Sequence, residues 1–336
     1  MITLKEVFNK FSLVKMNSCA QEILCAFSDE YADYLLPVCQ QPNLIIDLLK
    51  IADSSIPEVY FQENCPDQST LIAAEKMLIE VTQNKFRARA EGQERHESGA
   101  PKWIDNDIAL LIIDNFIKLN FISEKAPDLQ KYPCVALLGS TAPNMQERLD
   151  FFVSLLSSSE LEIGTLYLLT GTRTVDPDKY NDGSVEYIQS IKEKFKVDMV
   201  TEKELIQDVY DKVCKPDSKC SKMKVKLVNA VKNQGRANTL DTLIEFKAQA
   251  ENCDRVLYIS IAPFIVYQNE IIAKFAKDHF KHEYETVGKG TNIDIGLPKI
   301  KIAHYMVMSF AEALYAARSR IKETLNLEEN FSKDEL

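Results

Sequence analysis

Along the chain the spacing of apolar residues changes once, near Pro133. Before it they recur at three and four residues: Leu24, Phe27 and Tyr31; Leu44, Leu48 and Ile51; Leu71, Ala74, Leu78 and Val81; then Ile108, Leu111, Ile112, Phe116 and Leu119. That interval puts each set on one face of a helix. Start and stop signals agree: Ser18 with Gln21 in the capping-box relation, Asn43, and Asp105 as helix openers, and Pro37 as the end of the first helix. The polar stretch 87–102, with Gly92, Gly99 and Pro101, reads as an exposed connection.

Beyond Pro133 short apolar runs alternate with amphipathic segments. Runs at 134–138 (CVALL), 165–169 (TLYLL), 196–200, 224–230, 256–261 and 283–287 predict six strands, the third and sixth being the weaker patterns. Helices are predicted over 145–156, 185–195, 202–213 and 239–251, after Pro263, and in a final segment lined by Phe310, Leu314, Ala317 and Ile321. Strands separated by helices require crossovers and a mainly parallel sheet covered on both faces. The expectation is therefore an α/β, Rossmann-like, mainly parallel sheet with flanking helices, preceded by an all-helical N-terminal region. Its boundaries are 1–125 for the helical region, 126–325 for the ligand-binding α/β domain and 326–336 for an acidic tail.

Composition narrows the function classes. The chain has 336 residues, 46% apolar and 27% charged, which suits globular domains rather than disorder. A net charge of -10 opposes phosphate attraction, so no nucleic-acid partner is expected. The longest apolar runs fall far short of the ~20 residues of a membrane span, so no membrane insertion is expected. Charged residues early in the chain interrupt any secretory h-region, and Lys333-Asp334-Glu335-Leu336 is read as a chance match to a retention address. The eight cysteines form no CxxC pair and are read as reduced thiols of a cytoplasmic protein, with Cys214 and Cys220 flanking a surface loop, a metal site or a disulfide there being the alternative.

In a parallel sheet the ligand site lies beyond the carboxyl ends of the strands. Only ten glycines occur, and three of them, Gly139, Gly171 and Gly235, fall where strand meets helix. After the first strand come Gly139, Ser140, Thr141 and Pro143, which can turn backbone N–H groups and hydroxyls toward an anion; ordinary turn chemistry accounts for them equally well. After the second come Thr170, Gly171, Thr172 and Arg173, the guanidinium suiting a phosphate or carboxylate, against the alternative of a solvated loop. Arg236 precedes Asn238 and Thr239, which also cap a helix, and Ser260, Tyr267 and Gln268 follow the fifth strand. Their convergence points to a small anionic ligand. The chain lacks G-x-G-x-x-G, the P-loop and G-x-S-x-G. His279 and His282 stand three apart, with no metal motif around them.

Leu137-Leu138-Gly139, Arg148 on the next helix, Leu168-Leu169-Thr170-Gly171, Glu186, Asn238-Thr239 and Ser260 together resemble the YdcF/SanA-like family over about 133–290. The resemblance implies a Rossmann-like fold, with S-adenosylmethionine or a nucleotide as ligand and Gly139, Ser140, Arg148, Thr170, Gly171, Glu186, Asn238, Thr239 and Ser260 lining the pocket. This chain departs from the pattern at Thr172, at 263–268, and in adding Arg173 and Arg236. The stretch 323–336, with acids at 323, 328, 329, 334 and 335, is similar to the glutamate-rich signals of type IV-secreted effectors of intracellular bacteria, which would carry the protein into a host cell without a signal peptide.

Two functions follow as expectations. In one, Arg148, Arg173 and Arg236 hold a nucleotide-like or phosphorylated small molecule and Glu186 serves as general base of an unspecified reaction. In the other, the α/β domain is a catalytically idle scaffold and the helical front recognises a host protein.

Overall fold

The computed structural model describes residues 19–28, 35, 38, 40–56, 67–87, 99–158, 161–175, 182–231, 237–250, 252–291, 293 and 297–327. Ser18, Tyr31, Pro37, Cys39, Cys65, Gly92, the 233–236 segment with Arg236, and the acidic residues from 328 onward lie outside the described residues. The chain forms two units, Glu124–Thr291 and one built from both ends of the chain, Met1–Ser123 with Asn292–Leu336.

The front contains α1 (Cys19–Ser28), α2 (Asn43–Ala52), α3 (Gln68–Val81) and α4 (Asn106–Lys118). Asp67 and Asp105 cap α3 and α4 by accepting from the N–H groups of Thr70 (2.7 Å) and Ile108 (2.9 Å). A π-helical turn, Thr82–Arg87, prolongs α3.

The central unit runs β1 (Lys131–Leu137), α5 (Ala142–Ser158), β2 (Glu162–Gly171), α6 (Val185–Phe195), α7 (Glu202–Val213), β3 (Lys224–Ala230), α8 (Thr239–Gln249), β4 (Arg255–Ile261), α9 (Ile265–Asp278) and β5 (Glu283–Lys289). The strands form one five-stranded sheet in the order β3-β2-β1-β4-β5, parallel throughout. The fold is thus the expected Rossmann-like α/β sheet, with its order reversing between β1 and β4. Alternate residues of β1 explain why CVALL reads as continuously apolar. Val135 and Leu137 join Leu149, Phe152, Ile188 and Leu205 in one core, while Cys134, Ala136 and Leu138 join Leu243, Phe246, Ile272 and Phe275 in the other.

Two expectations change here. The run at 196–200 is no strand: Lys196 takes a left-handed backbone (φ 54°) as the C-cap of α6, and the segment ends in a single antiparallel bridge between Thr174 and Thr201. Among the described residues two helices therefore link β2 to β3, and the sheet has five strands rather than six. The cysteines also differ. Cys134 is disulfide-bonded to Cys253 and Cys214 to Cys220, with Cα atoms 5.6 and 5.1 Å apart, and Cys19 and Cys25 are disulfide-bonded too. Among the described residues no cysteine is free. Pairing β1 with β4 brings together two cysteines 119 residues apart, which no sequence spacing reveals. Such bonds suit an oxidising setting, the reverse of the reduced thiols expected.

The junction of α6 and α7 is ionic. Asp208 accepts from Lys194 (2.8 Å) and Tyr187 (2.8 Å) and pairs with Lys212 (2.7 Å). Burial pushes its carboxyl up, but these hydrogen bonds and the Lys212 charge outweigh burial and hold it below its ordinary value of 3.8. A carboxyl depressed in the folded state contributes stability that is complete above its unfolded value and is lost as pH falls through the folded one. Urea titrations between neutral pH and about pH 2 should show Asp208→Asn with a flatter acid-side decline than the native chain. Identical acid limbs would remove Asp208 from this role.

The last helix, α10 (Lys299–Thr324), belongs to the helical unit, not to the α/β domain assigned over 126–325. Its Phe310 is the hub of that unit's aromatic core, with ring centroids 5.6 Å from Phe27, 5.9 Å from Phe116 and 5.8 Å from Phe121. Arg320 ties it to α1 by donating to the carbonyls of Ala26 (2.9 Å) and Phe27 (3.0 Å). The expected tail boundary at 326 moves as well, since Gln68 donates to the Asn326 carbonyl at 2.6 Å and Leu327 is buried. Among the described residues no helix is long and apolar enough to cross a membrane.

Candidate functional site at the carboxyl ends of the strands

The expected residues do converge, but largely on one another. Gly139 leaves β1 so close to β2 that a Cβ there would lie 2.6 Å from the Leu169 carbonyl oxygen, an approach only glycine permits. Ser140 then accepts from Asn144 Nδ2 at 3.0 Å, and the Thr141 carbonyl accepts from Met145 N at 2.9 Å as α5 begins. Ser140, Thr141 and Thr172 remain half-exposed.

Arg173 was expected to face a ligand. It is buried instead, donating through Nε to Glu202 (2.6 Å) and through both terminal nitrogens to Asp182 (2.6 and 3.1 Å). Glu202 also accepts from Gly171 N at 3.1 Å, and Asp182 Oδ1 lies 3.3 Å from Ala142 N, the first residue of α5. Burial pulls the guanidinium down, while the hydrogen bonds and charges of Asp182 and Glu202 more than reverse this and raise it above its ordinary value. A helix N-terminus and an arginine fork are the standard means of holding an oxyanion. Here both hold Asp182. Thr170 is likewise turned inward, donating to the Val228 carbonyl and to Asn229 Oδ1, both at 3.1 Å.

At the switch point itself, Arg148 is buried and donates to the carbonyls of Leu138 and Gly139 (the latter 3.1 Å), with Gln268 Oε1 at 3.5 Å. Ser260 donates to the same Gln268 oxygen. Gln268 thus bridges the helix after β1 to the end of β4, where Ala262-Pro263 is a cis peptide. Tyr267 sits beside it, half-buried. Asn238 caps α8, accepting from Asp241 N at 3.0 Å while Asp241 accepts from Asn238 N at 2.8 Å; the Thr239 carbonyl accepts from Thr242. Capping therefore accounts for Asn238 in full.

Glu186, the expected general base, is exposed in the first turn of α6. Its hydrogen bond with Ser184, and one with its own backbone, hold it below its ordinary value. A general base near neutral pH needs the opposite shift, so Glu186 fits helix capping instead. His282 is committed to Tyr258 Oη (3.0 Å) and the Phe280 carbonyl inside an aromatic cluster. Sequence reasoning missed Asp182, Glu202 and Asn229. A legible signal existed for the first two: an arginine entering the end of a buried strand, in an acidic chain, needs carboxylate partners.

Comparison with protein-family models, curated proteins and solved structures finds no match. The class rests on geometry: a parallel α/β domain of Rossmann-like strand order, joined to a helical unit built from both ends of the chain. Its anion-holding groups at the ends of β1 and β2 surround a carboxylate of its own.

Proposed function

We propose that the α/β unit is a catalytically idle scaffold that supplies its own anion, and that the chain acts by binding another protein rather than by turning over a phosphorylated small molecule. The observation carrying this reading is Asp182. Its carboxylate is gripped by Arg173 and lies against the start of α5, where a phosphate of a nucleotide or sugar would be held. A ligand using these donors would first have to displace a buried carboxylate from its arginine. The helical unit supplies a surface for the protein partner: Leu110, Leu111 and Ile117 share one exposed face of α4.

The test is a thermal-shift panel of inorganic phosphate, ATP, S-adenosylmethionine and sugar phosphates on the full chain. A bound ligand at 100 times its dissociation constant adds about 2.7 kcal/mol. The native chain should show no such gain, whereas Asp182→Ala, which vacates the position, should be stabilised by inorganic phosphate. Stabilisation of the native chain by any phosphorylated ligand or by S-adenosylmethionine would restore the small-molecule reading.

A further inference from the structure

A cleft of about 250 Å³ opens between α6 and the segments joined by the single bridge of Thr174 with Thr201. It shares no side chain with the Arg173 cluster. Its floor is Val175, Ile188 and Val200, all members of the sheet core. Its wall is pinned by backbone hydrogen bonds from Val175 N to the Val200 carbonyl (2.9 Å) and from Glu202 N to the Arg173 carbonyl (3.0 Å), so the cleft is preformed.

Two features give the cleft a polarity. Val185 and Met199 line it while 61% and 57% exposed, leaving apolar surface in water where an apolar tail would cover it. One turn beyond Ile188, Lys192 lines the same cleft, and among the described residues no carboxylate pairs with it. Neighbouring Lys194, by contrast, is held by Asp208 and Asp211, and Gln189 is held by Glu193 at 3.1 Å. The volume exceeds the ~150 Å³ that accommodates benzene and falls below the ~300 Å³ at which drug-sized pockets begin.

We infer that this cleft is a binding site for a small monocarboxylate with an apolar tail: the tail covers the valine and isoleucine floor, and the carboxylate pairs with Lys192. Octanoate and its neutral counterpart octanamide are the probes, titrated into the full chain and followed by calorimetry. Octanoate should saturate and bind more tightly than octanamide. Lys192→Glu, at a half-exposed position, should weaken octanoate at least about tenfold while leaving octanamide unchanged. Val185→Asp, at an exposed position, should weaken both. The proposal is overturned if octanoate fails to saturate by about 10 mM, if the native chain binds the two probes equally, or if Lys192→Glu leaves octanoate affinity unaltered.

Discussion

Arg173→Ala should lower the unfolding free energy by about 3–5 kcal/mol, the cost of stripping a partner from a buried ion pair. The magnitude follows from what remains. Asp182 and Glu202 are both buried, and each depends on the guanidinium for a hydrogen bond of 2.6 Å. Without it, two buried carboxylates would each lose a charged partner and keep weaker donors such as the N–H groups of Gly171 and Ala142. Arg173→Lys keeps the charge, but a single ammonium cannot reproduce a fork that faces Asp182 with two nitrogens and Glu202 with a third, so it should recover part of the loss. Denaturant unfolding of the three chains gives the comparison. A loss below about 1 kcal/mol for Arg173→Ala, the ordinary worth of an exposed pair, would mean that water reaches the cluster and that Asp182 does not fill a closed anion site.

Breaking Cys134–Cys253 should cost at least as much. Its separation of 119 residues places it at the upper end of the usual range, about 4–5 kcal/mol in the chain-entropy account, because a long loop is closed in the unfolded chain. Cys214–Cys220, with a separation of only six, should contribute less. The double variant Cys134→Ala/Cys253→Ala, unfolded in urea with and without reductant, isolates the long bond. Its midpoint should fall well below that of the native chain under oxidising conditions, and reductant should bring the native chain down towards it. If reductant leaves the native midpoint unmoved, the two cysteines are not joined in the folded protein.

The helices and strands were legible wherever local pattern suffices. The boundaries of α6 and α7 and the caps Asp105 and Asn238 stand where periodicity and capping chemistry place them. The strand expected at 196–200 failed because a short apolar run cannot show whether a neighbour will pair with it. Here Lys196 turns left-handed, and pairing is confined to a single bridge of Thr201 with Thr174 and the Val175–Val200 hydrogen bond beside it. The site was half legible. Arg148, Thr170, Gly171, Arg173, Ser260 and Gln268 do gather at the strand ends, but the direction in which their polar groups point was not readable.

By itself the sequence determined the class of the fold and which residues stand at the strand ends, since residue period, glycine placement and helix capping act over a few residues. Tertiary structure alone decided three things. It placed α10, whose apolar face states that it must be covered but not by what, on the helical unit around Phe310. It joined Cys134 to Cys253 through the pairing of β1 with β4. It also turned Arg173 from a hand held out to a ligand into the partner of Asp182 and Glu202, because a buried guanidinium takes the nearest carboxylates the fold brings to it.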